Sequence, residues 1–370
     1  MMVHFPANRQ KMAFSSPSRT ILLISAILLM LLFSGCQSGG KKQTFDGVSD
    51  QPQKPIPPTN KQVYALAGLT DPNLALLLDH PEIDGISLQA AWMNMETSNN
   101  NFFWADLDSA LKLAKDRGKG VTLRPLSAFR SGAPMVEWMK TQGMQTFIAT
   151  NNLGVTSELA LPWDDVFLSQ YIEFLNALSL HINQAGYADT LVRIQVSAPV
   201  NEMDIPPCRN NIIGNTFPYD RAKYLSSWER TIDAFNAAFP DTTKLISANG
   251  GRICRPQIDE EFFRDVMGYA SRKYNGFVPS ANDLMTTGSD RMSPYLDLAS
   301  EGLAYQMIWF STKASNNRLG GTYPTNLLQS VCKGIDDGAD YIEIYAVDVL
   351  NPDSTIQSAI QAVHDSSLCG

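Results

Sequence analysis

The chain has 370 residues, 44% of them hydrophobic, and a formal net charge of −8. That length supports a large apolar core and allows two domains, although α/β barrels of this size form one. The acidic balance argues against a polyanionic partner such as nucleic acid.

The first 36 residues carry Arg9, Lys11 and Arg19 and no acid, then an apolar run over 21–33 and the sequence Ser34, Gly35, Cys36. A basic stretch before a short apolar one is the pattern of a secretory signal peptide, and the run is too short to span a bilayer comfortably. Its end resembles the bacterial lipoprotein box, in which the signal is cut before a cysteine that then carries lipid. Phe33 departs from the aliphatic residue preferred at that position. The resemblance implies a lipidated, palmitate-bearing Cys36 that tethers the mature protein to a membrane of the cell envelope. Gln37 follows instead of Asp, which in a Gram-negative cell points to the outer membrane. Twenty-nine basic residues less the three in the leader leave 26 against 37 acidic ones, so the mature chain carries −11. Residues 37–60 are rich in Gly, Gln, Lys and Pro and cannot build a core; they are expected as a disordered linker ahead of a single domain over 61–370.

From Gln62 onward strand-like runs alternate with helix-like ones. Strands are expected over 63–69, 86–92, 120–128, 191–198, 244–249, 277–282, 303–310 and 340–347. A short helix over 71–80 follows the first. Leu107, Ala110, Leu111 and Ala114 mark the second helix, with Gly118 as its stop. Phe167, Tyr171, Phe174, Leu175, Leu178 and Ile182 mark a long amphipathic one. Helices over 219–239, 259–274, 325–337 and 354–364 complete the series, with partial helix in 284–300 and Trp228 assigned to the core. Eight βα units in a row predict a single closed (β/α)8 TIM barrel of the α/β class. Ala67, Gly68, Leu69 after the first strand is not a GxGxxG loop, which disfavours a nucleotide-binding open sheet. The segment 129–163 reads as an irregular insertion on the face where such barrels bind their ligands.

Besides Cys36 there are four cysteines, an even number in an exported chain, where disulfides are permitted. Three pairings are open. Cys208 and Cys254 fall in the loops after neighbouring strands, which favours Cys208 with Cys254 and Cys332 with Cys369. No CxxC or His-rich spacing occurs, and His80, His181 and His364 are scattered, so neither a metal site nor a cofactor is expected. A serine hydrolase lacks its Gly-x-Ser-x-Gly elbow here.

Groups at the carboxyl ends of barrel strands carry the chemistry of this fold. Asn201 and Glu202 stand just beyond the fourth strand, where a carboxyl group fits proton transfer or a plain surface charge. The stretch Trp92, Glu96, Phe103, Trp104, Leu107, Asp108, the segment 134–138 ending in Trp138, and the pair Asn201–Glu202 together resemble the retaining glycoside hydrolases with a (β/α)8 barrel, the clan that includes β-galactosidases. The resemblance implies Glu202 as general acid/base and Asn201 as a contact to the sugar 2-hydroxyl. It also implies a nucleophilic Glu at the end of the seventh strand, where this sequence has Gln306. A neutral amide does not form a glycosyl ester.

Glycoside hydrolysis needs two carboxyl groups, about 5–5.5 Å apart for retention and about 6.5–9.5 Å for inversion. On the eighth strand Tyr341, Glu343 and Tyr345 share one face and Ile342, Ile344 and Ala346 the other, so Glu343 is expected inside the barrel. Arg124 and Arg193 lie on the polar faces of their strands, so Glu343 is open to two readings, a buried ion pair or a catalytic carboxylate. Asp348, just past the strand, is a second catalytic candidate; Asp204 and Asp283 are weaker. Aromatic floors suit the apolar face of a pyranose, which draws in Trp92, Trp138, Trp163 and Trp309, with Asn249, Asn282 and Gln306 as polar partners, although each of these is also at home in the core. The reading is an exported, lipid-anchored hydrolase of a carbohydrate substrate. Its rivals are a carbohydrate-binding lipoprotein that lost hydrolysis with Gln306, and an envelope scaffold with no sugar site.

Overall fold

The computed structural model describes residues 61–127, 137–150, 156–197, 220–248, 260–289, 291–307 and 320–370. The leader and linker over 1–60 with Cys36, and Asn201, Glu202, Asp204, Cys208, Asn249, Cys254 and Trp309, lie outside the described residues.

Eight parallel strands close into a barrel. They are β1 (Gln62–Gly68), β2 (Gly85–Ala91), β3 (Gly120–Leu126), β4 (Leu191–Val196), β5 (Thr243–Ser247), β6 (Phe277–Leu284), β7 (Ala304–Met307) and β8 (Tyr341–Tyr345). Each strand pairs with its neighbours in sequence, and β8 returns to β1 with Tyr64 opposite Glu343. This is the expected TIM barrel. Around it run α1 (Leu74–Leu78), α2 (Ala105–Lys115), α3 (Asp165–Gln184), α4 (Arg221–Ala238), α5 (Glu260–Lys273), α6 (Thr325–Asp336) and α7 (Ser354–Gln361), while a 3-10 segment, Ser293–Leu298, takes the place of a helix after β6.

Side-chain alternation along the strands builds two cores. Val63, Ala65, Ile86, Leu88, Val121, Leu123, Ile194, Val196, Ile342 and Ile344 belong to the large apolar core shared with the helices. Tyr64, Leu245, Val278, Ala304 and Tyr341 form a separate cluster, on the alternate positions that point to the barrel interior. The Tyr64 and Tyr341 rings sit 5.0 Å apart, and the Arg193 guanidinium lies 4.4 Å from the Tyr341 ring and 5.5 Å from the Tyr64 ring. Gly85 and Gly120 make room for this layer: a Cβ at Gly85 would collide with the Gly120 carbonyl and the Tyr64 ring, and one at Gly120 with the Tyr64 hydroxyl.

The helices start and stop on local chemistry. Asp164 caps α3 by accepting from Phe167 N at 2.8 Å, and Asp220 caps α4 by accepting from Lys223 N at 3.1 Å. After α2, Gly118 adopts φ +63° and the Lys119 amide returns to the Ala114 carbonyl at 3.0 Å, the expected glycine stop. The segment expected to be irregular contains order: Glu137–Thr141 is helical, and Thr146–Thr150 pairs antiparallel with Thr156–Ala160. At the carboxyl end, Cys332 and Cys369 form the expected disulfide, with Cα atoms 5.5 Å apart.

Candidate active site

Above the tyrosine layer the barrel interior turns polar. Ser87, Thr122, Arg124, Gln306 and Glu343 are all buried there. Among the described residues Glu343 is the acid of this layer, and its side-chain partners there are donors. Arg124 Nη1 lies 2.9 Å from Oε2, while Ser87 Oγ and the Tyr341 hydroxyl each donate to Oε1 at 2.8 Å. The Tyr341 hydroxyl is also 2.8 Å from Thr122 Oγ1. Burial, and then the negative charge of Glu343, push the Tyr341 phenol well above its ordinary value, which keeps its proton available for that donation.

Gln306 stands beside Glu343 in the β7–β8 register. Its Oε1 accepts from the same Arg124 Nη1, and its Nε2 donates to the Tyr345 hydroxyl at 2.9 Å. One guanidinium therefore holds both the carboxylate on β8 and the carboxamide on β7. A carboxylate at position 306 would place a second anion next to Glu343; the neutral amide leaves one full charge for Arg124 to balance.

The interior opens toward the carboxyl ends of the strands. Gln89 shares the inward face of β2 with Ser87 and is exposed, and Ala91, Leu126, Asn282 and Tyr345 are half-buried around it. Gln306, at 7% exposure, and Glu343, at 3%, lie deeper. Asn282 is half-buried near the end of β6, where the strand register shifts. Its neighbour Asp283 is on the opposite face, where Ser289 Oγ donates to it and Arg291 Nε lies 3.5 Å away. Asp348 is buried in the one-turn helix Ala346–Val349 that follows β8.

The tryptophans separate. Trp92 is 1% exposed and ringed by Phe167, Tyr171 and Phe174 with centroids 5.2–6.0 Å away. Its indole N–H donates to Glu96 Oε2 at 2.7 Å. The structure corrects the expectation of a sugar platform here, because the ring is buried against three aromatic side chains of α3. Burial raises the Glu96 carboxyl above its ordinary value, against the lowering effect of the Trp92 and Asn100 N–H donors. Trp138 is half-buried against the core and Trp228 fully buried within it. Ser87, Gln89 and Thr122 were not singled out from sequence, although their even spacing with Gly85 and Gly120 on the small, polar side of β2 and β3 is a readable signal.

No protein-family model matches this sequence, and no curated protein does. Solved structures resemble the chain in fold. The catalytic domain of a beta-amylase from Paenibacillus polymyxa superposes with a TM-score of 0.56 at 11% identity, over 83% of this chain and 99% of that one. Native xylanase 10B from Thermotoga maritima superposes with a TM-score of 0.50 at 10% identity, over 84% and 96%. At such identities the likeness is one of architecture, a closed eight-stranded barrel, and the activity has to be argued from the site.

Proposed function

We propose that the protein is an exported glycoside hydrolase working at the open, carboxyl end of its barrel, with Glu202 as general acid/base and Glu343 as the second carboxylate. The observation that carries this reading is an inward-facing carboxylate, held by Arg124, Ser87 and Tyr341, below strand ends where Gln89 is exposed. Such a carboxylate is oriented in advance, which is what an anionic partner to a developing oxocarbenium ion requires. Asp348 is the alternative second carboxylate. Gln306, Asn282, Asn201, Asn249 and Trp309 are the groups assigned to sugar contacts. The fold shared with a beta-amylase and a xylanase supports the carbohydrate class without selecting a linkage. The leader ending in Cys36 supports an envelope lipoprotein, with the linker 37–60 spacing the barrel from the membrane. Palmitate labelling that disappears in Cys36→Ser checks that assignment.

The test is a panel of aryl glycosides and of oligosaccharides from xylan, cellulose and starch, offered to the wild type and to Glu202→Gln, Glu343→Gln and Asp348→Asn. Loss of a positioned acid or base lowers turnover by about 10²–10⁴-fold. Glu202→Gln is expected to show such a loss, and the anomer first released, read by NMR, separates retention from inversion. Wild-type turnover by Glu202→Gln sinks the acid/base assignment. Binding without cleavage of any substrate establishes instead a carbohydrate-binding protein.

A further inference from the structure

A cavity of about 910 Å³ lies off the barrel axis, between the amino ends of α3 and α4. Its described lining comes from residues 145–168 and 220–230 and includes no barrel strand. Because α3 and α4 follow β3 and β4, their amino ends stand on the same side of the molecule as the barrel mouth.

The lining selects a class of ligand. Its charges balance, with Asp164, Asp165 and Asp220 against Arg221, Lys223 and Arg230. Asp164 and Asp220 cap the two helices, each accepting one backbone amide and placing a carboxylate where a phosphate or sulfate would sit. Arg230 is paired to Asp165 at 2.6 Å and Arg221 to Asp265 at 2.6 Å. A wall with three charges of each sign has no net charge with which to select an anion or a cation, whereas a neutral ligand rich in hydroxyl groups finds donors and acceptors along it. The half-buried Trp163 supplies an aromatic surface in that wall, supported edge-on by Tyr224 at 6.3 Å. An apolar ring face beside planar, hydrogen-bonding side chains matches the two-sided chemistry of a pyranose. The volume lies within the range of about 300–1,000 Å³ usual for small-ligand sites.

We propose that this cavity is a second glycan-binding site, distinct from the barrel mouth, with Trp163 as its stacking platform and the Asp165–Arg230 pair as its polar contact. The ligand class rests on the carbohydrate reading of the barrel; the location does not.

Isothermal titration of the full mature chain carrying Glu202→Gln, with xylohexaose, cellohexaose and maltohexaose as probes, tests it. At least one probe is expected to bind at two sites per chain. In the same background Trp163→Ala is expected to remove one site or weaken it at least ten-fold, with Trp163→Phe restoring most of the loss. Arg230→Ala, at a partly exposed position, serves as the second variant should Trp163→Ala fail to fold, and is expected to weaken the same site. Unchanged stoichiometry and affinity in these variants overturn the proposal, as does the absence of binding by all three probes. Should the wild type hydrolyse no glycoside while the Trp163-dependent site persists, the hydrolase reading fails and this one stands.

Discussion

Arg124 and Glu343 meet across the barrel at 2.9 Å with only 6% and 4% of their side chains exposed, so each ion is the other's main charge partner in a region with little water. Removing one member of such a pair strands the other, at a cost of about 3–5 kcal/mol. Arg124→Met and Glu343→Gln are each expected to fall in that range by chemical denaturation. The double variant should lose clearly less than the sum, since no charge is left behind. Additive losses would show that the two residues do not depend on one another.

Lys244 provides a pH test. It is fully buried on the helix-facing side of β5, where its Nζ donates to the Pro240 carbonyl at 3.0 Å and sits 5.5 Å from the Phe277 ring. Burial pushes its ammonium down from 10.5 to about 8, against a small opposing effect of Asp241. Between pH 8 and 10.5 the unfolded chain holds a proton that the folded chain has released. Stability from this group therefore rises with pH through that window, and below pH 8 the buried charge costs its full amount. Relative to Lys244→Met, the wild type should gain about 2–3 kcal/mol on going from pH 7 to pH 10. A difference that stays flat across the range would contradict the assignment.

The disulfide closes a loop spanning 37 residues between α6 and the last turn of the chain. The chain-entropy account puts its contribution at about 3–4 kcal/mol. The double variant Cys332→Ser/Cys369→Ser should lose that stability in non-reducing buffer. Mass mapping of the oxidised wild type should find the 332–369 linkage; peptides that cross-link Cys332 or Cys369 to Cys208 or Cys254 would count against it.

Gly85→Ala tests the glycine pair beneath Tyr64. The added methyl would press on the Gly120 carbonyl, a backbone atom with no rotamer to escape into. Overpacking costs about 1–3 kcal/mol where neighbours can adjust. This site should reach or exceed the top of that range, measured by thermal or urea unfolding. Ordinary stability in Gly85→Ala would mean that the backbone at Gly120 gives way to the added methyl.

Much of this architecture is legible in the chain itself, because strand alternation is a local property. Ile342 and Ile344 on β8 belong against helices, which leaves Glu343 no place but the interior, and the same parity puts Arg124 there. The choice of partner is not local. Arg124 takes Glu343, but Arg193 rests on Tyr64 and Tyr341 and donates to Gln62 Oε1 at 2.5 Å, a cation–π arrangement that no single strand announces. Trp92 was misplaced for the same reason: the rings that cover it arrive with α3, on a later part of the chain. The hairpin of Thr146–Thr150 and Thr156–Ala160 carried a usable signal, since Asn151, Asn152 and Gly154 lie between two runs containing β-branched residues, but the surrounding Gly, Pro and Met masked it.

The tyrosine layer beneath Glu343 has a further consequence for traffic. Tyr64, Tyr341, Leu245, Val278 and Ala304 stopper the barrel at its amino end, so the interior is a blind cup. Whatever enters must leave by the way it came. On the proposed hydrolase reading, a glycan would have to reach Glu343 from the carboxyl end of the barrel, and water and the released fragment would share that route.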